Sequence, residues 1–258
     1  MAIHPTAVIE PGAQLGAGVE VGPYAVIGAE VRLGDRCRVA HHASIAGKTE
    51  AGPDNIFFPF VSIGEVTQDL KYKGEPTHLR IGAGNTFREF TTANRGTNEE
   101  SGALTAIGDH NLFLAYNHIA HDCRVGSHCI FSNNATLGGH VVAGDYVTIG
   151  GMTAIHQNCR IGSHAMLGGC TKITQDVPPF CLADGNPAKV RTLNIIGLRR
   201  HGFAADRIRA IRGGFDFLYD EGLNTSQALQ KIEQECELTP DVLALLEFVR
   251  SSDRGIIR

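Results

Sequence analysis

A six-residue period constrains this chain more than any other feature of its sequence. Ile3, Ile9, Leu15, Val21, Ile27, Leu33, Val39, Ile45, Ala51, Phe57 and Ile63 stand six apart. A second ladder runs Ile107, Phe113, Ile119, Val125, Phe131, Leu137, Ala143, Ile149, Ile155, Ile161, Leu167 and Ile173. A fixed six-residue period is an internal repeat, and it settles the architecture before any single helix or strand is assigned. Three hexads close one triangular turn of a parallel β-helix, which gives an 18-residue coil, with neighbouring coils stacked at about 4.8 Å.

Many ladder residues precede Gly, as in Leu15-Gly16, Val21-Gly22, Leu33-Gly34, Val125-Gly126 and Ile149-Gly150, which accounts for much of the total of 31 Gly. They read as turn residues supplying backbone angles that other residues reach at a cost. The period breaks twice. Glu65 to Thr77 carries no hexads and reads as an ejected loop. Between Ala93 and Ile107 the register shifts by two, with Asn98-Glu99-Glu100-Ser101-Gly102 as the bulge. The expected organisation is a β-helix over 1–188, with loops near 65–78 and 97–104, followed by an α-helical domain over 189–258. In that second part Ile208, Ile211, Phe215 and Leu218 share one helical face, Ala228, Leu229 and Ile232 mark a second helix, and Thr239-Pro240 caps a third. Flat prism faces suit self-association, so a homotrimer is expected.

The net charge of −4 argues against a surface tuned to nucleic acid. No apolar run is long enough to span a bilayer, and the first residues carry no signal-peptide pattern, so a cytoplasmic protein without membrane insertion is expected. The seven Cys form no CxxC pair and read as reduced thiols. Cys37, Cys123, Cys129 and Cys159 fall four residues beyond a ladder position, where compact interior side chains recur.

A β-helix core does not need imidazole, yet His118, His121, His140 and His156 crowd into 39 residues. Adding 18 stacks them into columns: His121 under Gly139 under Gln157, and Asp122 under His140 under Asn158. An imidazole near its ordinary pKa of ~6.5 accepts a proton from a sugar hydroxyl at neutral pH, and a carboxylate such as Asp122 holds its tautomer. Gly139, lacking a side chain, leaves its N–H open to an oxyanion. Three imidazoles also suit zinc, as in the γ-class carbonic anhydrases. His4, His41, His42, His110, His128, His164 and His201 read as solvated turn residues.

Ile119-Ala120-His121-Asp122-Cys123, Gly139-His140-Val141, the stretch Gly150 to Gln157 and the loop Gln68-Asp69-Leu70-Lys71-Tyr72-Lys73-Gly74-Glu75-Pro76-Thr77 resemble the acyl-ACP:UDP-N-acetylglucosamine O-acyltransferase family, whose reaction begins lipid A synthesis. The likeness runs through Arg199 to Phe203 and on to Arg258. It implies a mainly β fold, a left-handed parallel β-helix of hexapeptide repeats with a C-terminal α-helical domain. It also implies transfer of an (R)-3-hydroxyacyl chain from the phosphopantetheine of acyl carrier protein to the glucosamine 3-hydroxyl, with no other cofactor and no metal. By motif, His121 resembles the base, Asp122 its orienting partner and Gly139 the oxyanion donor. Asp69, Lys71, His118, His140, His156, Gln157, Asn194 and Arg200 resemble substrate contacts, and Gly169 an acyl-length determinant whose small size implies a long chain. Asn94 and Ile196 depart from the family's usual His and acidic residue, which leaves a 3-amino sugar nucleotide open as acceptor. Another hexapeptide acyltransferase and a zinc enzyme are the alternatives. Arg199, Arg200, Arg207, Arg209 and Arg212 form an expected docking patch for the acidic carrier protein.

Overall fold

The computed structural model describes residues 2–98 and 102–258. Glu99, Glu100 and Ser101 of the expected bulge lie outside the described residues. Short strands alternate with two-residue corners and stack into three sheets of 11, 9 and 8 strands, the faces of a left-handed triangular prism. Ladder residues pair in register along each face: Ile3 with Val21 on face 1, Ile9 with Ile27 on face 2, Leu15 with Leu33 on face 3. Nearly every ladder side chain from Val21 onward is buried. Phe57, Phe87 and Phe113 stack inside face 1 with ring centroids 5.3 and 4.9 Å apart.

The ejected segments reveal themselves in this register. Phe57 pairs with Phe87 and Phe87 with Phe113, offsets far longer than the 18 of an unbroken coil. The first loop leaves the face 2 strand Ser62–Glu65 and re-enters at the face 3 strand His78–Ile81; the second leaves Thr92–Asn94 on face 2 and re-enters at Leu104–Ile107 on face 3. Both therefore emerge from the corner between faces 2 and 3.

The glycines after the ladder residues serve a different purpose from the one expected. Of those named above, none has a positive φ; instead a Cβ on Gly34 would stand 2.6 Å from the next coil's backbone, and on Gly126 2.7 Å. They permit close approach of coils. The left-handed backbone falls three residues after the ladder and is occupied chiefly by other residues: Tyr24, Asp54, Tyr116, Asp122, Asn134, His140 and His164, with φ between 57 and 64° in this set. Asn, Asp and His tolerate this region better than most side chains.

The expected boundary at 188 falls within a hairpin. Cys181–Asp184 continues face 1 and pairs antiparallel with Lys189–Leu193, which ends the parallel ladder. Helix α1 (Ile195–Arg200) follows, then α2 (Ala205–Leu218), α3 (Thr225–Glu235) and α4 (Pro240–Arg250). Thr239 Oγ1 caps α4, and Asn224 with Gln227 forms a capping box on α3. Leu198, Phe203, Ile211 and Phe215 join the prism core, so the helices close the last coil and cover its strand edge. Among the described residues no helix is long and apolar enough to cross a membrane.

Candidate active site

The corner between faces 2 and 3 carries the predicted cluster. Face 2 strands end at Ile119, Leu137 and Ile155, so the next residues turn the corner together: His121, Gly139 and Gln157 in one column, Asp122 and His140 in the next. Asp122 (φ 58°) and His140 (φ 60°) occupy the left-handed position of their turns.

Asp122 is buried, its side chain 1% exposed, and His121 is 14% exposed. Their contact is 2.9 Å from Nδ1 to Oδ2. A carboxylate only accepts, so Nδ1 carries the proton and Nε2 is the free lone pair. Thr97 grips the carboxylate from behind: its hydroxyl donates to Oδ2 at 2.7 Å and its N–H to Oδ1 at 3.2 Å. The Asp122 N–H donates to Thr105 Oγ1 at 2.8 Å. The His140 ring meets His121 edge-on, with Nε2 3.7 Å from Asp122 Oδ2.

Gly139 lies beneath the His121 ring so closely that a Cβ there would stand 2.5 Å from Nε2. Its neighbours' amides are engaged, Gly138 N–H with Ile155 O and His140 N–H with His121 O, while the Gly139 N–H has no partner among the described residues. An imidazole lone pair thus sits beside an open backbone donor, as acyl transfer through a tetrahedral intermediate requires.

The first ejected loop folds over the same corner. Asp69, Lys71, Tyr72 and Glu75 line a cavity of about 360 Å³ with Thr97, Asn98 and His140. The loop is shaped by its own bonds: Lys71 N–H to Asp69 Oδ1 at 2.9 Å and Tyr72 OH to Glu75 O at 2.9 Å. His118 lies on face 2, its Nδ1 2.7 Å from Thr92 Oγ1; burial, and secondarily the charge of His121, hold its pKa below the ordinary imidazole value. His156 and Gln157 lie two coils further on, where Nδ1 of His156 meets Gln157 O at 3.0 Å. The Cys123 thiol donates to Gly138 O at 3.2 Å, and burial pushes its pKa up to about 12, so it is no nucleophile.

Three predicted residues lie elsewhere. Gly169 stands at the corner of faces 1 and 2, stacked on Gly151, whose carbonyl would be 3.3 Å from a Cβ. Asn194, the N-cap of α1, and Arg200, its last residue, are docked at the corner of faces 3 and 1. Asn194 caps that helix through Gly197 N–H and donates to His164 O at 2.9 Å; Arg200 is exposed. His164 departs from the solvated reading: stacked on Tyr146 and 2.9 Å from His201 Nδ1, it has a pKa pushed down to about 4, chiefly by burial. Arg207 grips Asp241 through two bonds and lies 3.7 Å over the Phe203 ring while staying about half exposed, and Arg199, Arg200 and Arg209 are exposed as well. Thr97 and Thr105 were not legible as site residues, because both lie where the hexad register is broken.

One ligand atom each of His121, Asp122 and His140 lies within 4.8 Å of the others, a spacing compatible with a metal ion. Asp122 Oδ2 is itself bonded to His121 and Thr97.

The hexapeptide-repeat transferase pattern matches residues 12–47 and 105–139, and the pattern described as UDP-N-acetylglucosamine O-acyltransferase, domain 2, matches 176–257. The fold superposes over the full length of both chains on LpxA of Acinetobacter baumannii, with 43% identity and a TM-score of 0.96. The UDP-N-acetylglucosamine O-acyltransferase of Moraxella catarrhalis is likewise covered in full, at 38% identity and 0.94. The UDP-N-acetylglucosamine acyltransferase of Arabidopsis is 36% identical with a TM-score of 0.86, over 99% of this chain and 100% of that one.

Proposed function

Because the chain belongs to the UDP-N-acetylglucosamine O-acyltransferase family, we propose that it moves an (R)-3-hydroxyacyl chain from acyl carrier protein to the 3-hydroxyl of UDP-N-acetylglucosamine, the opening reaction of lipid A synthesis in the cytoplasm. The observation that carries this reading is the 2.9 Å His121–Asp122 contact laid over Gly139. His121 Nε2 takes the proton of the sugar hydroxyl as its oxygen attacks the thioester carbonyl. The Gly139 N–H meets the oxyanion that forms. When the C–S bond breaks, the imidazolium returns the proton to the departing thiolate. Asp122 holds the Nδ1–H tautomer and offsets the imidazolium charge. Asp69 and Lys71 engage the sugar and pyrophosphate from the loop, and His118, His140, His156 and Gln157 position sugar and acyl chain. The acyl chain crosses face 2 toward Gly169.

The assembly follows from surface chemistry. Outward residues on face 3 include Arg32, Glu50, Arg80, Arg124 and Arg160, whereas those on face 1 include Ile56, Leu112, Ile130 and Met166, and those on face 2 Ser62, Thr136 and Ala154. The corner of faces 1 and 2 bears stacked, exposed aromatics: Phe60 on Phe90 at 5.2 Å and Phe90 on Tyr116 at 4.8 Å. Three prisms with this corner at a threefold axis bury faces 1 and 2 and set His121 of one copy beside α1 of the next. Asn194 and Arg200 then complete the nucleotide site from the neighbour, and the exposed arginines receive the acidic carrier protein.

Incubation with UDP-N-acetylglucosamine and hydroxyacyl carrier protein should yield the 3-O-acyl nucleotide, and His121→Ala should remove nearly all rate while the fold persists. An active His121→Ala enzyme would refute the base assignment. Offering a 3-amino acceptor in parallel tests the departures at Asn94 and Ile196. Zinc at one ion per chain would instead favour metal chemistry at His121, Asp122 and His140.

A further inference from the structure

We propose that Thr97 is a positioning residue for the acyl transfer, clamping the Asp122 carboxylate so that Oδ2 faces His121 and not His140. This rests on the reading of His121 as the base. The torsion that orients a carboxylate is broad, so a buried Asp takes its direction from its partners. Two imidazoles compete for Oδ2: His121 Nδ1 at 2.9 Å and His140 Nε2 at 3.7 Å. Thr97 contributes one donor to each carboxylate oxygen, its hydroxyl to Oδ2 and its N–H to Oδ1. A carboxylate held at both oxygens has its plane fixed, and here that plane points at His121.

Thr97 is only 6% exposed, and it stands where the chain leaves face 2 for the second ejected loop. It also lines the cavity formed with Asp69, Lys71 and Tyr72. One residue thus links the loop that meets substrate to the carboxylate that orients the base. The hydroxyl also draws charge from the oxygen that His121 uses, so removing it leaves more negative charge facing the ring and favours the imidazolium.

Thr97→Val removes the hydroxyl at nearly constant shape and keeps the backbone donor; Thr97→Ser keeps both. We expect kcat/KM of the Val variant to fall on the order of 10- to 100-fold, the worth of one bond to a charged group, with the loss in kcat rather than in KM for the sugar nucleotide. The acid limb of its pH–rate profile should move to higher pH, the NMR titration of the His121 ring should follow, and the Ser variant should restore all three. An unshifted His121 titration with wild-type kcat in the Val variant, or a Ser variant as impaired as the Val one, overturns the proposal. The NMR titration needs no turnover, so it is read even if the wild-type protein fails to acylate UDP-N-acetylglucosamine, the result that would overturn the functional reading instead.

Discussion

At Gly139 the difference between a hydrogen and a methyl decides whether the His121 imidazole has room. A Cβ there overlaps the ring, and the ring rather than the coil has freedom to yield. Gly139→Ala should therefore push His121 off Asp122 and lower kcat by about 100-fold or more, the scale of losing base alignment, while thermal unfolding stays within a few degrees of wild type. A large fall in melting temperature with kcat retained would contradict this account. The 18-residue offset made His121, Asp122 and Gly139 legible in the sequence, because stacked coils convert sequence separation directly into contact. Thr97 was hidden for the complementary reason: it reaches Asp122 across 25 residues of interrupted register, where no fixed offset applies.

Among the elements, the coils are held by more than apolar ladders. Asn55, Asn85 and Asn111 stack inside the prism at a recurring position before face 1. Asn85 N–H and Nδ2 donate to Asn55 Oδ1 at 2.9 and 3.0 Å, and Asn111 N–H and Nδ2 donate to Asn85 Oδ1, both at 2.9 Å. These coils flank the two insertions, where the ordinary spacing is lost and directional bonds hold the register. Asn85→Leu would strand the Asn111 amides and should cost about 2–5 kcal/mol, measured by denaturant unfolding, because buried donors lose their partners in a low dielectric. A change under about 0.5 kcal/mol, typical of an indifferent site, would show the ladder to be dispensable. The insertions were visible as gaps in the period, but their shared corner was not. It follows from which face each flanking strand joins, and that requires the closed prism.

For the whole molecule, the residues proposed to act together occupy separate corners of one chain: His121 between faces 2 and 3, Asn194 and Arg200 between faces 3 and 1. A single prism cannot bring them together, so activity should depend on assembly. Phe60→Asp combined with Phe90→Asp places charges in the exposed aromatic column and should give monomers by sedimentation, with β circular dichroism retained and acyl transfer lost. A fully active monomer would remove the neighbour from the site.

The sequence by itself determined the coil, its 18-residue repeat, the stacked dyad and the helical cap, because a solenoid makes only local, periodic contacts and a period is readable in one dimension. The tertiary structure decided what does not repeat. It turned the ladder glycines from supposed left-handed turn residues into points of close coil approach, paired the surface Arg207 with Asp241, and brought Thr97 behind Asp122. Each depends on which groups meet after the corners close, and a period specifies spacing along the chain but not the contacts of the segments that leave it.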